Sequence, residues 1–268
     1  MVAELPVDTS TPSVARMYNY ALGGKDNFEV DRQAVTAAES LAPGAVALAV
    51  ENRALLIRMT RFLVTRAGVD QFLDLGSGLP TAENVHQVAQ RTEPRARVVY
   101  SDNDPSVAAH GRALLDDDDR TTFALADLTD PDQVLGNETV RRHLDWQRPI
   151  ALYQLATLHH QPDSVDLPAL MRTYVDALPA GSFVAFSHFH DPGGRAGEQV
   201  ERIRRSMLDH GTDADHFRSR DQIEGMLAGL DLVEPGLVPA KDWWPDGPHL
   251  QEPQPVQHCI LGAVGHKR

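Results

Sequence analysis

The chain has 268 residues and a formal net charge of −13, and 42% of its residues are hydrophobic. This is the composition of a globular protein that can bury a large core, without an apolar run long enough to span a membrane. An acidic chain is repelled by phosphate backbones, which argues against nucleic acid as a partner. The single cysteine, Cys259, excludes an internal disulfide, and the N-terminal segment lacks a signal-peptide pattern. We therefore expect a cytoplasmic protein that makes no contact with membranes.

The first 68 residues are predicted to be helical. Apolar residues recur at helical spacing from Ala45 to Arg66, and the pattern stops at Gly68. Before this stretch, the segment from Tyr18 to Phe28 carries two adjacent glycines between helical patterns. The sequence therefore predicts an N-terminal helical extension over residues 1–68, followed by a second domain over residues 69–268.

From Gln71 onward, short apolar runs that are typical of strands alternate with helical stretches. The predicted strands are Phe72–Leu75, Arg97–Ser101, Thr122–Ala126, Ile150–Leu155 and Phe183–Ser187. The predicted helices are Thr81–Gln90, Pro105–Leu115, Pro131–Leu144, Leu167–Leu178, Glu198–Asp209 and Asp221–Leu227. This alternation predicts an α/β fold in which helices cover both faces of a mostly parallel sheet. Two late apolar runs, Leu230–Val238 and Val256–Val264, would close the sheet with an antiparallel hairpin.

The most informative motif lies between Phe72 and Thr81, where a predicted strand runs into a glycine turn and a helix that starts at Pro80. Gly76 and Gly78 would let the backbone approach a ligand closely. In open α/β sheets the first such turn lies at the crevice where nucleotides bind. A tight turn without a ligand is the alternative interpretation.

Two further predicted strands end in an acid. Asp102 follows the second strand, where a carboxylate can accept hydrogen bonds from both ribose hydroxyls. Asp127 follows the third strand and could accept from the amine of adenine, while the backbone N–H of Leu128 meets a ring nitrogen. Either acid could instead form a turn or cap a helix. Taken together, the three strand ends indicate a nucleotide-like ligand.

The spacing of the glycines distinguishes between nucleotides. Dinucleotide sites use G-x-G-x-x-G and P-loops use G-x-x-x-x-G-K-[ST], and the residues that follow Gly78 fit neither pattern. The D-x-G-x-G form, which begins at Asp74, suits a ligand with a ribose, an adenine and an ammonium group but no phosphate. S-adenosylmethionine (SAM) has these groups. The missing third glycine argues against the alternative of an NAD-dependent oxidoreductase.

These motifs resemble those of class I SAM-dependent methyltransferases and, more closely, those of the actinobacterial S-adenosyl methyltransferase family, formerly a domain of unknown function. The likeness covers almost the whole chain and is carried by Ala15–Arg32, Phe72–Thr81, Val98–Pro105, Asp127–Pro131 and Glu234–Val238. It implies a Rossmann-like sheet of seven mostly parallel strands with SAM at its carboxyl edge and S-adenosylhomocysteine (SAH) as the product. It does not imply a particular methyl acceptor.

The resemblance also assigns roles to individual residues. It implies that Gly76, Ser77 and Gly78 wrap the methionine and ribose part of SAM. It also implies that Asp102 holds the ribose, Asn103 lies against the adenine, and Asp127 and Leu128 read the adenine edge. The remaining cofactor contacts that we expect are Tyr18, Gly24, Lys25 and Thr157. The first three lie in the glycine-rich N-terminal segment, which could fold over the cofactor as a lid.

Four histidines are predicted to lie close to the methyl acceptor. His159 and His160 follow the fourth strand, and His188 and His190 end the fifth. We predict His159 and His188 as catalytic residues that accept a proton from a hydroxyl or a protonated nitrogen. Histidines at these positions could instead shape the SAM pocket. A zinc or iron site that includes Asp191 is a further alternative, but no metal is expected because the sequence shows no helical i, i+4 ligand pair.

The sequence thus predicts a SAM-dependent methyltransferase that acts on a small-molecule acceptor, with the N-terminal extension as a lid. The alternative is a SAM- or SAH-binding sensor or interaction protein that transfers nothing. This alternative stays open because the N/D-P-P-Y run of nitrogen methyltransferases is missing from the sequence. The oligomeric state also stays open, with a homodimer among the states considered.

Overall fold

The computed structural model describes residues 7–41, 43–81, 83–115, 119–209, 215–248 and 254–268. The helices are α1 (Val14–Ala21), α2 (Glu29–Leu41), α3 (Ala45–Thr65), α4 (Val85–Gln90), α5 (Pro105–Leu115), α6 (Pro131–Leu135), α7 (Glu138–His143), α8 (Leu167–Ala177), α9 (Gly194–Asp209) and α10 (Arg220–Met226). The strands are β1 (Gln71–Leu75), β2 (Arg97–Asp102), β3 (Thr121–Leu125), β4 (Ala151–Leu155), β5 (Phe183–Phe189), β6 (Asp231–Leu232), β7 (Val238–Pro239) and β8 (Ile260–His266).

All strands belong to one sheet in the order β3-β2-β1-β4-β5-β8-β6, and β7 also pairs with β8. Strands β1 to β5 pair in parallel, and β8 runs antiparallel to β5. This arrangement confirms the predicted Rossmann-like α/β fold. The described sheet has eight strands rather than seven because two short strands, β6 and β7, lie one after the other beside β8. The strand order reverses between β1 and β4, so the ligand crevice is expected at their carboxyl ends.

Helix α3 belongs to the layer that covers one face of the sheet. Its Leu55, Met59 and Leu63 are completely buried in the core cluster that also contains residues of β1 and β4. The Thr60 hydroxyl lies 2.9 Å from the hydroxyl of Tyr153 on β4. Helices α1 and α2 pack outside this layer, and α2 contacts α9. The division of the chain into two domains at residue 68 stays a prediction. Of the three helices in the predicted extension, α1 and α2 lie outside the layers formed by the sheet and its covering helices.

Three predicted helices differ clearly in the structure. The predicted helix Glu198–Asp209 begins earlier, at Gly194. The other two differences have local causes. The predicted helix Thr81–Gln90 begins only at Val85, since Asn84 with Gln87 forms the capping box of α4. The predicted helix Pro131–Leu144 is two helices, because the side chain of Asn137 accepts a hydrogen bond from the backbone N–H of Thr139 and caps α7. Within the described ranges, no single helix is long and apolar enough to cross a membrane. Helices α2 and α3 meet the requirements of length and apolar composition only together, as a pair bent by 107°.

Candidate functional site

A cavity of about 520 Å³ lies at the carboxyl edge of the sheet, under α1, α2 and α3. Most of the residues that the sequence singled out line it, namely Tyr18, Gly76, Ser77, Gly78, Asp102, Asn103, Asp127, Leu128, Thr157 and His159. Three predicted site residues lie outside its lining: Gly24, Lys25 and His188. The fold therefore brings the ends of β1, β2, β3 and β4 together around one space.

The turn after β1 lines the cavity with backbone atoms of Gly76, Ser77 and Gly78. Gly76 has φ +68°, and its N–H donates to the carbonyl of Ser101 at 2.7 Å. A Cβ at Gly76 would lie 2.6 Å from Cγ2 of Thr157, so a larger residue would collide with the end of β4. Gly78 has φ +66°, and a Cβ there would meet open space. The turn thus needs glycine for its conformation at both positions and for close packing at the first.

The carboxylate of Asp102, at the end of β2, holds this turn in place. Its two oxygens accept the backbone N–H of Gly78 and of Asp104, each at 2.9 Å. Burial raises the pKa of Asp102, and the two backbone hydrogen bonds oppose that rise. Each carboxylate oxygen can accept a further hydrogen bond, and Asp102 lies on the cavity wall. It is therefore placed to accept hydrogen bonds from a ligand.

Asp127 and Leu128 form the wall after β3. The Oδ1 atom of Asp127 accepts hydrogen bonds from the N–H and the hydroxyl of Thr129, each at 2.8 Å. The hydroxyl of Tyr174 donates to the carbonyl of Leu128 at 2.8 Å. Asn103 also lines the cavity and is exposed. These contacts hold the end of β3 in place, so that its polar groups are presented to the cavity in a fixed position.

Asp74 and Arg53 place opposite charges beside the glycine turn. The Nε atom of Arg53 is buried without a hydrogen-bond partner among the described residues, and the guanidinium lies 5.8 Å from the ring centre of Tyr18. Burial raises the pKa of Asp74 to about 7, and the charge of Arg53 opposes the rise. A guanidinium and a carboxylate at one end of a cavity complement the two charges of an α-amino acid group.

Tyr18 connects α1 with the sheet through Asn52 of α3. The Nδ2 atom of Asn52 donates to the Tyr18 hydroxyl at 3.1 Å, and its Oδ1 accepts from the Ser187 hydroxyl of β5 at 2.6 Å. The same hydroxyl of Ser187 accepts the N–H of Ala156 at 2.9 Å. A chain of hydrogen bonds thus runs from the N-terminal helix to the loop after β4. Burial raises the pKa of Tyr18, so its hydroxyl stays protonated.

The glycine-rich loop after α1 is organised by Asn19 rather than by a ligand. The buried Oδ1 of Asn19 accepts hydrogen bonds from the N–H of Asp26 and from Nδ2 of Asn27, each at 3.0 Å. A Cβ at Gly24 would lie 2.4 Å from Nδ2 of Asn19, which explains the glycine by close packing. Lys25 is exposed at the outside of this loop. The two residues were predicted to touch the cofactor, and the structure places both away from the cavity wall.

The cavity wall also carries His159, His160 and Asp215. The ring of His159 is buried and stacks on Phe189, with ring centres 3.7 Å apart. Burial lowers the pKa of His159 well below its usual value, and the neighbouring His160 adds to this effect. Nδ1 of His160 lies 2.7 Å from Oδ1 of Asp215, and Nε2 of His159 lies 4.0 Å from the same oxygen. The three side chains form a compact polar cluster that faces the cavity.

His188 differs from the prediction that it faces the acceptor. It is fully buried, its Nδ1 donates to the carbonyl of Phe189 at 2.6 Å, and its Nε2 accepts from Arg218 at 3.1 Å. Burial lowers the pKa of His188 to about 3. Both ring nitrogens are thus used inside the protein, and the side chain orients Arg218. His190 is likewise directed at Arg218, with Nδ1 3.1 Å from its carbonyl oxygen.

Three polar side chains that bear on the chemistry of the cavity are among the wall residues that the sequence interpretation missed: Asn52, Arg53 and Asp215. Asn52 and Arg53 belong with Glu51 to a polar run in the middle of the predicted helix, and that run was a usable signal. Asp215 had no comparable signal, because its position next to His160 depends on the tertiary fold alone.

The family model described as S-adenosyl methyltransferase matches residues 2–268. A crystallised protein from Thermobifida fusca that is assigned as a methyltransferase is 40% identical, with a TM-score of 0.91 and full coverage of both chains. A DUF574 family protein from Streptomyces avermitilis is 33% identical with a TM-score of 0.92, covering 98% of this chain and 100% of its own. A SAM-dependent methyltransferase from Anabaena variabilis shares the fold at 15% identity and a TM-score of 0.53, covering 99% of this chain and 100% of its own. No curated protein sequence matches the chain.

Proposed function

Because the chain belongs to the S-adenosyl methyltransferase family and uses SAM as its methyl donor, we propose that it methylates a small, largely apolar acceptor without negative charge. The observation that carries this proposal is the cavity of about 520 Å³, which joins the polar strand ends to an apolar chamber under α1, α2 and α3. A cavity of this size is typical of small-molecule sites. A macromolecule would have to present a side chain or base through the helices that cover it.

The residues on the cavity wall fit the groups of SAM. The buried, unpartnered Nε of Arg53 is suited to the carboxylate of the methionine part, and Asp74 is suited to its ammonium group. We infer that Asp102 holds the ribose, with Gly76, Ser77, Gly78 and Thr157 around the chain that joins ribose and sulfur. We infer that Asn103, Asp127 and Leu128 hold the adenine, as expected from the sequence. When bound, SAM supplies an electrophilic methyl group, and sulfur keeps the electron pair of the broken bond.

The remaining wall of the cavity defines the acceptor. It is formed by small and apolar side chains, among them Ala34, Val35, Ala38, Ala49, Phe189 and Ile203. Within the described part of the chain the wall carries several carboxylates but one arginine, Arg53, and no lysine. An acceptor with a phosphate or carboxylate would be repelled here, whereas the cationic SAM is attracted. The acceptor is therefore neutral or cationic, and its reacting oxygen or nitrogen lies toward His159, His160 and Asp215.

Helices α1 and α2 act as the lid over this cavity. The hydroxyl of Ser13, at the start of α1, donates to Asp104 at 2.8 Å, so the lid is bonded to the same loop that contains Asp102. Tyr18 bonds the other side of α1 to Asn52 of α3. Closing these bonds over bound SAM would exclude water and fix the geometry of an in-line transfer.

The affinity for SAM is expected to rise about tenfold between about pH 6 and pH 8, because Asp74 has a pKa of about 7. The ammonium group of SAM favours the ionised carboxylate, so binding releases a proton and becomes stronger as the pH rises. The dissociation constant of SAM, measured by calorimetry across this range, checks the prediction. The variant Asp74→Asn should bind more weakly and with no pH dependence in this interval. If the dissociation constant of SAM depended on pH in the variant as it does in the wild type, Asp74 would not be the group that binds the ammonium.

Methyl transfer to a small molecule is tested with SAM that carries an isotope-labelled methyl group. The purified full-length protein is incubated with a cell extract that has been separated into a small-molecule and a macromolecular fraction. We expect the label to enter an apolar, non-anionic compound of the small-molecule fraction, with SAH formed in equal amount. Label in protein or nucleic acid would contradict the proposed acceptor, and absence of transfer in both fractions would contradict an enzymatic role.

A further inference from the structure

The cluster at the acceptor end of the cavity has the composition of a metal site. A ring nitrogen of His159, a ring nitrogen of His160 and a carboxylate oxygen of Asp215 all lie within 4.8 Å of one another. Two imidazole nitrogens and one carboxylate oxygen are the ligand set of many zinc and non-haem iron sites. The sequence suggested the histidines but paired them with Asp191, whereas the structure brings the more distant Asp215 to them.

The hydrogen bonding of the cluster is incomplete in a way that indicates a shared ligand. Oδ1 of Asp215 is 2.7 Å from Nδ1 of His160, yet no group in the described part of the chain is aligned to donate a hydrogen bond to this oxygen. Nδ1 of His159 is also buried without a hydrogen-bond partner among the described residues. Leaving a buried carboxylate oxygen unpaired is costly, and a cation bound to Oδ1 of Asp215 and to one ring nitrogen of each histidine would satisfy it.

The fold fixes the three side chains before any ion binds. His159 and His160 share one short 3-10 turn, Leu158–His160, and the ring of His159 is held flat against Phe189. The N–H of His216, the residue after Asp215, donates to the carbonyl of His159 at 2.8 Å. Arg218 donates to the carbonyl of Gln161 at 2.8 Å and so ties the following segment to the end of the same turn. A rigid support of this kind is what a metal site requires of its surroundings.

We propose that His159, His160 and Asp215 bind one first-row divalent transition metal ion, with zinc(II) as the first ion to test. All three residues line the cavity, so the side of the ion that the protein leaves open faces the acceptor chamber. A site with three protein ligands and an open position is typical of catalytic rather than structural metals. The ion would take an oxygen or nitrogen atom of the acceptor as a further ligand, a role that rests on the proposed function. His159 would then act as a ligand and not as the proton acceptor expected from the sequence.

The metal site is tested by titrating the chelator-treated full-length protein with zinc(II), followed by calorimetry, and with cobalt(II), followed by its visible absorption. The wild type should bind one ion per chain, and cobalt(II) should give the intense bands of a low-coordinate site. Asp215→Asn and His160→Gln should each weaken zinc(II) binding by at least about tenfold. The control His110→Gln, which changes a histidine on α5 outside the cluster, should bind zinc(II) like the wild type.

Equal zinc(II) affinity in the wild type and Asp215→Asn, or no binding by the wild type, would overturn the metal site. Urea unfolding of the same variants shows whether they are folded, and the unfolding transition should remain cooperative in each. The two proposals fail separately. Methyl transfer by metal-free protein would contradict only the role of the ion, whereas metal binding without any transfer would contradict only the proposed function.

Discussion

Replacing Asp102 by alanine is expected to weaken SAM binding about 100-fold. The carboxylate accepts two backbone N–H groups that shape the glycine turn and is placed to accept from the ribose hydroxyls as well. A hydrogen bond to a charged group contributes about 1.5–3 kcal/mol, and loss of about 2.7 kcal/mol corresponds to a factor of 100. The dissociation constant of SAM, measured by calorimetry at fixed pH, gives the result directly.

The matched control for this variant is Asp166→Ala. Asp166 also accepts a backbone N–H, from Ala169 at 2.9 Å, but it caps α8 and lies outside the cavity lining. Its removal should lower the free energy of unfolding by about 1 kcal/mol and leave SAM affinity unchanged. If Asp102→Ala retained SAM affinity within threefold, or if both variants lost it equally, Asp102 would not be a cofactor ligand.

Asp31→Ala is expected to lower the free energy of unfolding by about 3–5 kcal/mol, the usual cost of removing one partner of a buried ion pair. Asp31 is fully buried in α2, and its carboxylate accepts from Nε of Arg16 at 2.8 Å. It also accepts the N–H of Ser13 at 2.9 Å and of Phe28 at 2.8 Å. Two of these donors, Arg16 and Ser13, belong to α1 and its N-cap. The variant should therefore loosen the lid and weaken SAM binding too. Urea unfolding and hydrogen exchange of residues 14–21 measure these effects.

The control is Glu29→Ala on the same helix, where an exposed carboxylate pairs with Arg32. Exposed pairs contribute little, so its unfolding free energy should stay close to that of the wild type. The double variant Arg16→Met/Asp31→Leu removes both charges and should recover the part of the lost stability that comes from the unpaired Arg16. The N–H groups of Ser13 and Phe28 lose their acceptor in both variants, so recovery should be partial. If Asp31→Ala unfolded like the wild type, α1 and α2 would not be held by this ion pair.

The sequence was sufficient for the fold because the signals were local and agreed with one another. Helix α5 has the predicted bounds, and β1 to β5 lie within one or two residues of the predicted runs. The errors occur where one side chain decides a boundary, as with the cap at Asn137 that divides a predicted helix. A single strand was predicted over Leu230–Val238, whereas the structure has two short strands, β6 and β7, that both pair with β8. The apolar pattern of the sequence does not show that two separate segments pair with the same strand.

The site was predictable where a motif and its chemistry coincide. Gly76, Asp102 and Asp127 follow their strands directly, so their meeting at one edge follows from a parallel sheet. Gly24 was predicted from the same glycine-rich N-terminal segment as Tyr18, but its role is close packing on Asn19, which only the three-dimensional structure shows. The position of Asp215 beside His160 was equally beyond the sequence, because it depends on contacts between the loop after β4 and the segment before α10.

A crystal structure of the full-length protein with SAH tests the central claim most directly. We predict the ribose at Asp102, the adenine near Asp127, and the sulfur atom toward the end of the cavity that contains His159, His160 and Asp215. SAH bound outside this cavity, or with its sulfur directed away from those three residues, would contradict the account of both the cofactor site and the acceptor chamber.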